Sequence, residues 1–178
     1  MKEGSRILGI DDAAFEFEDD KTFLVGVVYR GTEFVEDIVT EEVEVDGYDA
    51  TEAVISLYRK CKNPGQVKAV LTDGISFAGF NLVDIHEVAE ELDVPVIAVT
   101  ANEPDREDFR ATMERTGNQD PVFDRFEEAE PLELKDGTAY IQHAGIELED
   151  ARKVVRRTTI HGLSPEAIRV AHMIGRTL

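Results

Sequence analysis

Cysteine and tryptophan are nearly absent from this chain of 178 residues, which has one cysteine and no tryptophan. The lone Cys61 cannot form an internal disulfide and lies far from any Cys/His pattern of a zinc site, so we interpret it as incidental. No apolar run reaches the roughly 18 residues that cross a bilayer, and residues 1–6 lack the apolar run of a signal peptide. These absences predict a cytoplasmic protein, and the length fits a single domain, residues 1–178.

Basic residues are also scarce: 19 Lys and Arg stand against 38 Asp and Glu, a formal net charge of −19. This balance argues against nucleic acid as a partner, because phosphate binding depends largely on Lys and Arg. The charge is unevenly distributed, however, with +5 on residues 151–178 and −24 on residues 1–150. Such asymmetry suggests an anionic partner at one end. The excess of acids also resembles the surface of a protein from a high-salt cytoplasm, which we favour as the explanation for most of them.

The first third of the chain predicts three strands. Residues 6–10 form an apolar run that ends at Asp11-Asp12, and residues 23–29 form a second run after a polar loop. Residues 34–45 follow Arg30-Gly31-Thr32, and their apolar residues alternate with glutamates at the end of this segment. This spacing predicts a third strand that is antiparallel to the second.

The pattern then changes to alternating helices and strands. Asp49 can cap a helix that ends at Asn63-Pro64-Gly65, residues 67–71 predict a buried strand, residues 81–92 a helix and residues 94–99 another strand. The order β-β-β-α-β-α-β is that of a ribonuclease H-like fold. We therefore expect an α/β fold with a mixed sheet, three antiparallel strands followed by parallel strands, and helices on both faces.

The last part of the chain is less regular. Residues 104–115 predict a helix, residues 117–130 a polar loop, and residues 133–141 a hairpin around Asp136-Gly137. Residues 147–157 have acids in the first turn and bases in the last, as the helix dipole favours. A final helix is predicted to begin with Ser164 as its cap and Pro165 in its first turn.

Aspartates follow two predicted strands that should be neighbours in a sheet of this order. Asp11 follows the first strand and Asp73 follows the strand after the first helix, so we expect their carboxylates to meet at one edge. Carboxylates, water and a substrate phosphate make a typical Mg²⁺ site. A third acid would be needed, and Asp49 is the best placed, with Asp46 in reserve; each aspartate could instead cap a turn. Asp12 should point to the opposite face and serve as a supporting or turn residue.

Several segments resemble known nucleases. Residues 9–15 look like the first strand of endonuclease V, which has the pattern Gly-x-Asp-x-x-Phe, although three residues separate Asp11 from Phe15 here. Residues 71–75, with Asp-Gly, look like its second strand end, and residues 93–99 like a later strand. Residues 46–51, 72–81 and 162–166 are more closely similar to the archaeal endonuclease dU family. The similarity covers nearly the whole chain, and the match at residues 73–81 is the most specific.

This resemblance implies a metal-dependent endonuclease that acts on deaminated bases, above all deoxyuridine, in DNA or RNA. It implies Mg²⁺ or Mn²⁺ as the cofactor, with Asp11 and Asp73 as ligands. Endonuclease V has a glutamate at the start of the helix after the third strand, where this chain offers the shorter Asp49. Endonuclease V also uses a late histidine near its metal. His172 is the candidate counterpart here, although we favour a structural role for it, as for His86, and leave His161 unassigned.

Recognition of a damaged base requires turning it out of the helix into a pocket. Glycines allow the backbone to come close to the base, and an aromatic ring can stack on it. The candidate residues are Gly74, Phe77, Gly79 and Phe80. The alternative is ordinary packing, since aromatic residues before a helix usually anchor it to the core.

Basic residues near the end of the chain have helical spacing. Arg152 and Arg156 share one helix face, and Lys153 and Arg157 share a neighbouring one. Together with Arg169 they are candidates for contacts to the nucleic-acid backbone. Complementarity to the helix dipole explains the first four nearly as well.

Two other functions remain open. One is a non-catalytic ribonuclease H-like module that binds nucleic acid or protein. The other is phosphotransfer on small phosphates, which only the Asp11-Asp12 pair suggests. The sequence lacks the phosphate loop G-x-x-x-x-G-K-[ST], which argues against phosphotransfer.

Overall fold

A computed structural model describes residues 4–16 and 18–178 of the chain. Within these residues, seven strands form one sheet in the order β3-β2-β1-β4-β7-β9-β8, and two short strands form a separate hairpin, β5-β6. The strands are β1 (Arg6–Asp12), β2 (Lys21–Arg30), β3 (Phe34–Glu44), β4 (Val67–Asp73), β5 (Ser76–Phe77), β6 (Asn81–Leu82), β7 (Val96–Thr100), β8 (Glu130–Leu134) and β9 (Gly137–Ala144).

The helices alternate with these strands along most of the chain. Short 3-10 turns lie at Pro64–Gln66 and Pro121–Arg125. Among the described residues, no helix is long and apolar enough to cross a membrane. The α-helices are α1 (Ala50–Lys60), α2 (Ile85–Leu92), α3 (Arg106–Thr116), α4 (Leu148–Thr158) and α5 (Glu166–Gly175).

The sheet has the mixed topology that the sequence predicts. Strands β1, β2 and β3 are antiparallel neighbours, and β4 and β7 continue the sheet in parallel with β1. The predicted hairpin forms as β8 and β9, and it extends the same sheet because β9 pairs antiparallel with β7. The parallel strands β1 and β4 lie near the centre of the sheet, so their carboxyl ends meet at one edge.

Helices cover both faces of the sheet. On one face, apolar residues of α1 and α2, such as Leu57 and Val88, pack with Leu8 and Val70 of the central strands. On the other face, α4 and α5 pack against alternate residues of the same strands, such as Ile7 and Leu71. Neighbouring residues of a strand point to opposite faces, and the near-continuous apolar character of β1 and β4 follows from burial on both sides.

Three predicted helix boundaries differ in the structure. Asn81 and Leu82 pair with β5 instead of starting a helix, and α2 begins after Asp84, whose carboxylate accepts the backbone N–H groups of His86 and Glu87. The side chain of Asp49 does not cap α1, and the final helix begins after Pro165, with no cap from Ser164. At α1 a tertiary hydrogen bond takes the place of the local cap, because the Asn81 side chain accepts the Ala50 N–H.

Asn81 shows how such tertiary bonds take over. Its side chain is fully buried, and Oδ1 accepts the first N–H of α1, from Ala50, at 2.8 Å. Its Nδ2 donates to the carbonyl oxygen of Glu44 and to Asp49 Oδ1. One amide from the β5–β6 hairpin therefore joins the end of β3 to the start of α1.

Helix α5 packs unusually closely on β1. A Cβ atom at Gly9 would lie 2.5 Å from the Ile168 nitrogen, and one at Gly175 would lie 2.5 Å from the Asp12 carbonyl oxygen. Both glycines therefore allow direct contact between helix and strand backbones. This contact runs along β1 toward its carboxyl end and brings the last turn of α5 to the edge where Asp11 lies.

Candidate metal centre

Asp11 and Asp73 meet at the carboxyl ends of two adjacent parallel strands. Strands β1 and β4 pair in register from Ile7 with Ala69 to Ile10 with Thr72, so the residue after each run reaches the same edge. Among the described residues, one group of acidic or imidazole side chains could hold a metal ion: Asp11, Asp73 and His172. One ligand atom from each lies within 4.8 Å of the others. The juxtaposition of the two aspartates is what the strand order predicts.

His172, for which we favoured a structural role, is the third member of this group. It lies in the last turn of α5, where its Nδ1 is 2.8 Å from Asp11 Oδ2. The side chain is 57% exposed, so it is not packed in the core. Ile168 and Gly175 of α5 lie against β1, and His172 is four residues after the first and three before the second, so it lies at the margin of the same helix face. This helical spacing is the feature of the sequence that could have indicated the position of His172.

Burial and mutual repulsion shape the electrostatics of the two carboxylates. Desolvation raises the pKa of Asp11, and its hydrogen bond to His172 partly opposes this effect. Desolvation also raises the pKa of Asp73 to about 6, with the negative charge of Asp11 adding to it. Asp73 is exposed as a residue. Its carboxyl group nevertheless lies close to Asp11, Asp12 and His172, and this crowding accounts for its desolvation. Among the described residues, no Lys or Arg forms an ion pair with either carboxylate.

Asp12 supports the loop that follows β4. Its Oδ2 accepts the backbone N–H of Ala78 at 2.6 Å. Its side chain is partly buried, and desolvation raises its pKa. This contact agrees with the supporting role that the alternation of strand residues suggests.

Asp49 and Asp46 lie outside this group. Asp49 Oδ1 accepts hydrogen bonds from the Glu44 backbone and from Asn81, at 3.2 Å and 2.6 Å. Asp46 Oδ1 accepts the backbone N–H of Phe80 at 2.9 Å. The structure therefore places His172, and neither of these aspartates, beside Asp11 and Asp73.

The four candidate pocket residues have different environments. Phe77 is only 1% exposed and packs in the core with α1 and α2, so the packing alternative describes it and no face is left for a base. Phe80 is partly exposed and packs edge to face against Phe109, with ring centroids 5.2 Å apart. Gly74 and Gly79 both have positive φ angles, 69° and 88°, and Gly79 is exposed.

The basic side chains of α4 and α5 have local acidic or carbonyl partners. Arg152 pairs with Glu149 and Lys153 with Asp150, one turn earlier in α4. Arg156 donates to the carbonyl oxygen of Glu133 on β8. In α5, Arg169 forms hydrogen bonds to both carboxylate oxygens of the buried Glu166.

Two basic residues of α4, Lys153 and Arg157, lie at the sheet edge opposite the carboxylates. Lys153 and Arg157 line a cleft of about 660 Å³ together with Ser5 and Lys68, which lie at the start of β1 and β4. A strand rises about 3.3 Å per residue, so this cleft is roughly 20 Å from Asp11. Any phosphate contact there would be distant from chemistry at the Asp11 edge.

The sequence of the chain matches a known family. The family model described as endonuclease dU matches residues 3–178.

The chain belongs to the endonuclease dU family.

Curated relatives cover almost all of the chain. A UPF0215 protein of Methanopyrus kandleri is 38% identical over 98% of this chain and 91% of its own length. A UPF0215 protein of Methanothermobacter thermautotrophicus is 39% identical over 98% of this chain and 87% of its own length. The family resemblance seen in residues 46–51, 72–81 and 162–166 is thus confirmed over the whole chain.

Solved structures establish the fold class. A protein of unknown function from Archaeoglobus fulgidus, 35% identical, superposes with a TM-score of 0.83 over 96% of this chain and 95% of that one. Human endonuclease V gives a TM-score of 0.66 at 18% identity, covering 97% of this chain and 83% of that one. Endonuclease V of Ciona intestinalis, in complex with a 24mer DNA that contains an inosine followed by a ribo-adenosine, gives 0.65 at 16% identity, covering 97% and 84%.

These likenesses confirm the ribonuclease H-like α/β fold. Membership of the endonuclease dU family indicates a nuclease.

Proposed function

We propose that this chain is a divalent-metal-dependent endonuclease that hydrolyses a phosphodiester bond near deaminated bases in DNA, with deoxyuridine as the preferred lesion. The observation that carries the proposal is the group formed by Asp11, Asp73 and His172, whose ligand atoms lie within 4.8 Å of one another. Family membership supports the nuclease class. The DNA in the Ciona endonuclease V complex supports nucleic acid as the partner for this fold.

The side chains fit a hard divalent cation. Two carboxylates that repel each other, and that no Lys or Arg pairs with among residues 4–16 and 18–178, gain stability from a cation between them. Mg²⁺ and Mn²⁺ prefer such oxygen ligands. Asp11 and Asp73 would therefore hold the ion. When bound, it would activate a water molecule and offset charge on the phosphorus during hydrolysis.

The protein groups around this position have distinct tasks. His172 bonds through Nδ1 to Asp11 and so fixes the orientation of that carboxylate, as partners of metal ligands do in other proteins. Its exposed ring leaves Nε2 as the atom that exchanges a proton with water or substrate. Asp49 has no part in this mechanism, because its carboxylate is bonded to Asn81 and Glu44.

The basic residues of α4 and α5 are the proposed contacts to the nucleic-acid backbone. We propose that Arg152, Lys153, Arg156, Arg157 and Arg169 contact the nucleic-acid backbone, with Lys153 and Arg157 far from the scissile bond. The cleft of Lys153 and Arg157 lies roughly 20 Å from Asp11, a distance compatible with phosphates several base pairs along a duplex, since successive phosphates of one strand advance about 3.4 Å along the axis. Of the pocket candidates, Gly74, Gly79 and Phe80 are the proposed base contacts. Phe77 is not among them because its ring is buried in the core.

The direct test is cleavage of a duplex that carries one deoxyuridine. Purified protein should nick it with Mg²⁺ or Mn²⁺, and excess chelator should stop the reaction. A matched duplex with thymidine at that position should remain intact, and one with inosine measures base preference. The assay should cover a salt series into the molar range, because phosphate affinity falls with salt while an acid-rich surface is expected to need it. Binding of the duplex without nicking under all these conditions would favour the non-catalytic module.

His172→Ala tests whether this histidine contributes to cleavage and not to the stability of the fold. We expect cleavage to slow by about 10²–10⁴-fold, the usual contribution of a positioned proton-transfer group, with little change in melting temperature because the side chain is exposed. The matched control is His161→Ala, which replaces another exposed histidine outside the group and should cleave like the wild type. Equal rates for the two variants would remove His172 from the mechanism.

A further inference from the structure

The β5–β6 hairpin follows the Asp73 strand end directly, and its tip has an unusual backbone. Ala78 and Gly79 have φ angles of 44° and 88°, in the left-handed region. This conformation is unfavourable for alanine, so the surrounding contacts must hold it in place. Ala78 is also fully buried, whereas Gly79 is exposed.

Two carboxylates from separate parts of the chain hold this tip. Asp12, at the end of β1, accepts the Ala78 N–H at 2.6 Å. Asp46, in the turn between β3 and α1, accepts the Phe80 N–H through Oδ1, and its own N–H donates to the Ala78 carbonyl oxygen at 2.8 Å. A Cβ atom at Gly79 would collide with Asp46 Oδ1, so the fit leaves no space for a side chain there.

Asp12 differs from Asp46 because it lies in β1, next to a residue of the candidate metal centre. It follows Asp11 directly, and consecutive strand residues point in opposite directions. Asp11 faces Asp73 and His172, while Asp12 reaches the hairpin tip. The end of one strand thus fixes two things relative to each other: the carboxylate group and the loop beside it.

We propose that Asp12 is a positioning residue for substrate recognition: its hydrogen bond to Ala78 holds the hairpin tip at a fixed distance from the Asp11 and Asp73 carboxylates, so that the exposed backbone at Gly79 meets the nucleotide beside the scissile phosphate. This inference rests on the proposed nuclease function. Asp12 is not a metal ligand in this scheme. Its effect is on how the substrate is held and not on how the ion is held.

Two substitutions separate the hydrogen bond from the charge. Asp12→Ala removes both, whereas Asp12→Asn removes the charge and keeps an acceptor oxygen at nearly the same place. For Asp12→Ala we expect KM for the deoxyuridine duplex to rise about tenfold or more, as for loss of a charge-assisted hydrogen bond, with a smaller change in kcat. Asp12→Asn should recover most of the wild-type KM. Both variants should bind Mn²⁺, measured by titration calorimetry, within about threefold of the wild type, since tenfold effects accompany lost metal-site partners.

A readout that needs no cleavage keeps this test apart from the proposed function. Hydrogen exchange by mass spectrometry should show faster exchange of peptides covering residues 74–82 in Asp12→Ala, with peptides of α1 and β7 unchanged. Ala78→Gly provides a second route, because it keeps the backbone N–H at position 78 and its Asp12 acceptor, and glycine adopts the left-handed backbone without the strain that alanine has there. It should fold and keep slow exchange at the tip, and fast exchange there in Ala78→Gly would show that the Asp12 hydrogen bond alone does not hold the tip.

The possible outcomes are distinct. Failure of the wild type to nick would end the proposed function, while the exchange result would still show whether Asp12 holds the hairpin. Equal loss in Asp12→Ala and Asp12→Asn would assign the effect to charge and overturn the positioning role. Weakened Mn²⁺ binding in both would make Asp12 a ligand and overturn it as well, as would unchanged KM and exchange in Asp12→Ala.

Discussion

Asp73→Asn is expected to slow metal-dependent cleavage by roughly a thousandfold or more, since an activating cation contributes several kcal/mol and each 1.4 kcal/mol corresponds to about a factor of ten. The same substitution should raise the melting temperature of the metal-free protein at pH 7. Activity and stability therefore move in opposite directions, which a simple loss of structure would not produce.

The stability gain follows from the raised pKa of Asp73. Desolvation and the charge of Asp11 bring this pKa from its usual 3.8 to about 6 in the folded protein, so the folded state holds the proton more tightly than the unfolded chain. Ionisation at pH 7 thus opposes folding, and an asparagine removes that cost. The difference in melting temperature should be largest above pH 6 and should shrink as the pH falls through the range from about 6 to 3.8, where both states become protonated.

Thermal melting of metal-free protein at pH 7 and at pH 4, beside the nicking assay, checks both parts. Asp93→Asn is the matched control: Asp93 is exposed, lies after α2 with a φ of 52°, and asparagine tolerates that left-handed backbone. It should leave cleavage and its pH dependence unchanged. A lower melting temperature for Asp73→Asn at pH 7 would contradict the electrostatic account.

Gly9→Ala is expected to have the largest effect on folding, although it adds a single methyl group. That methyl would lie 2.5 Å from the Ile168 nitrogen and against Ala167, so helix α5 must move away from β1. Overpacking of a core commonly costs about 1–3 kcal/mol, and a clash with helix backbone belongs at the upper end or above it. Since His172 lies on the same helix, cleavage should fall together with the free energy of unfolding.

Gly65→Ala provides the matched comparison for this substitution. Gly65 lies in the 3-10 turn Pro64–Gln66 and is exposed. Apart from its own atoms and those of its two chain neighbours, no heavy atom of the described residues lies within 4 Å of the position that a Cβ would take. Its effect on the free energy of unfolding should stay within about 0.5 kcal/mol, as for ordinary surface sites. Urea denaturation of both variants measures the difference, and equal stability would show that α5 does not need close contact with β1.

The mixed sheet could be predicted from the sequence because its signals are local. Period-two alternation and apolar runs marked β1 to β4 and β7, and the change to helical spacing marked α1 and α2. The order of these elements then placed the ends of β1 and β4 side by side. The meeting of Asp11 and Asp73 needed only that order, and no knowledge of side-chain packing.

Other parts of the site depend on contacts that spacing does not encode. Asp49 had the position of a helix cap and of a third ligand, yet the buried Asn81 amide bonds to it and takes over the cap. Phe77 had the composition of a base-stacking residue but fills the core. His172 reaches Asp11 only because Gly9 and Gly175 let α5 lie directly on β1.

The most direct test of the proposed centre is a crystal soaked in Mn²⁺ and measured for anomalous scattering. We expect an anomalous peak for Mn²⁺ within coordination distance, roughly 2.0–2.5 Å, of carboxylate oxygens from both Asp11 and Asp73. The peak should disappear from crystals of Asp73→Asn. A peak bound elsewhere, or none beside these two residues at saturating Mn²⁺, would contradict a metal-dependent nuclease centred on this pair.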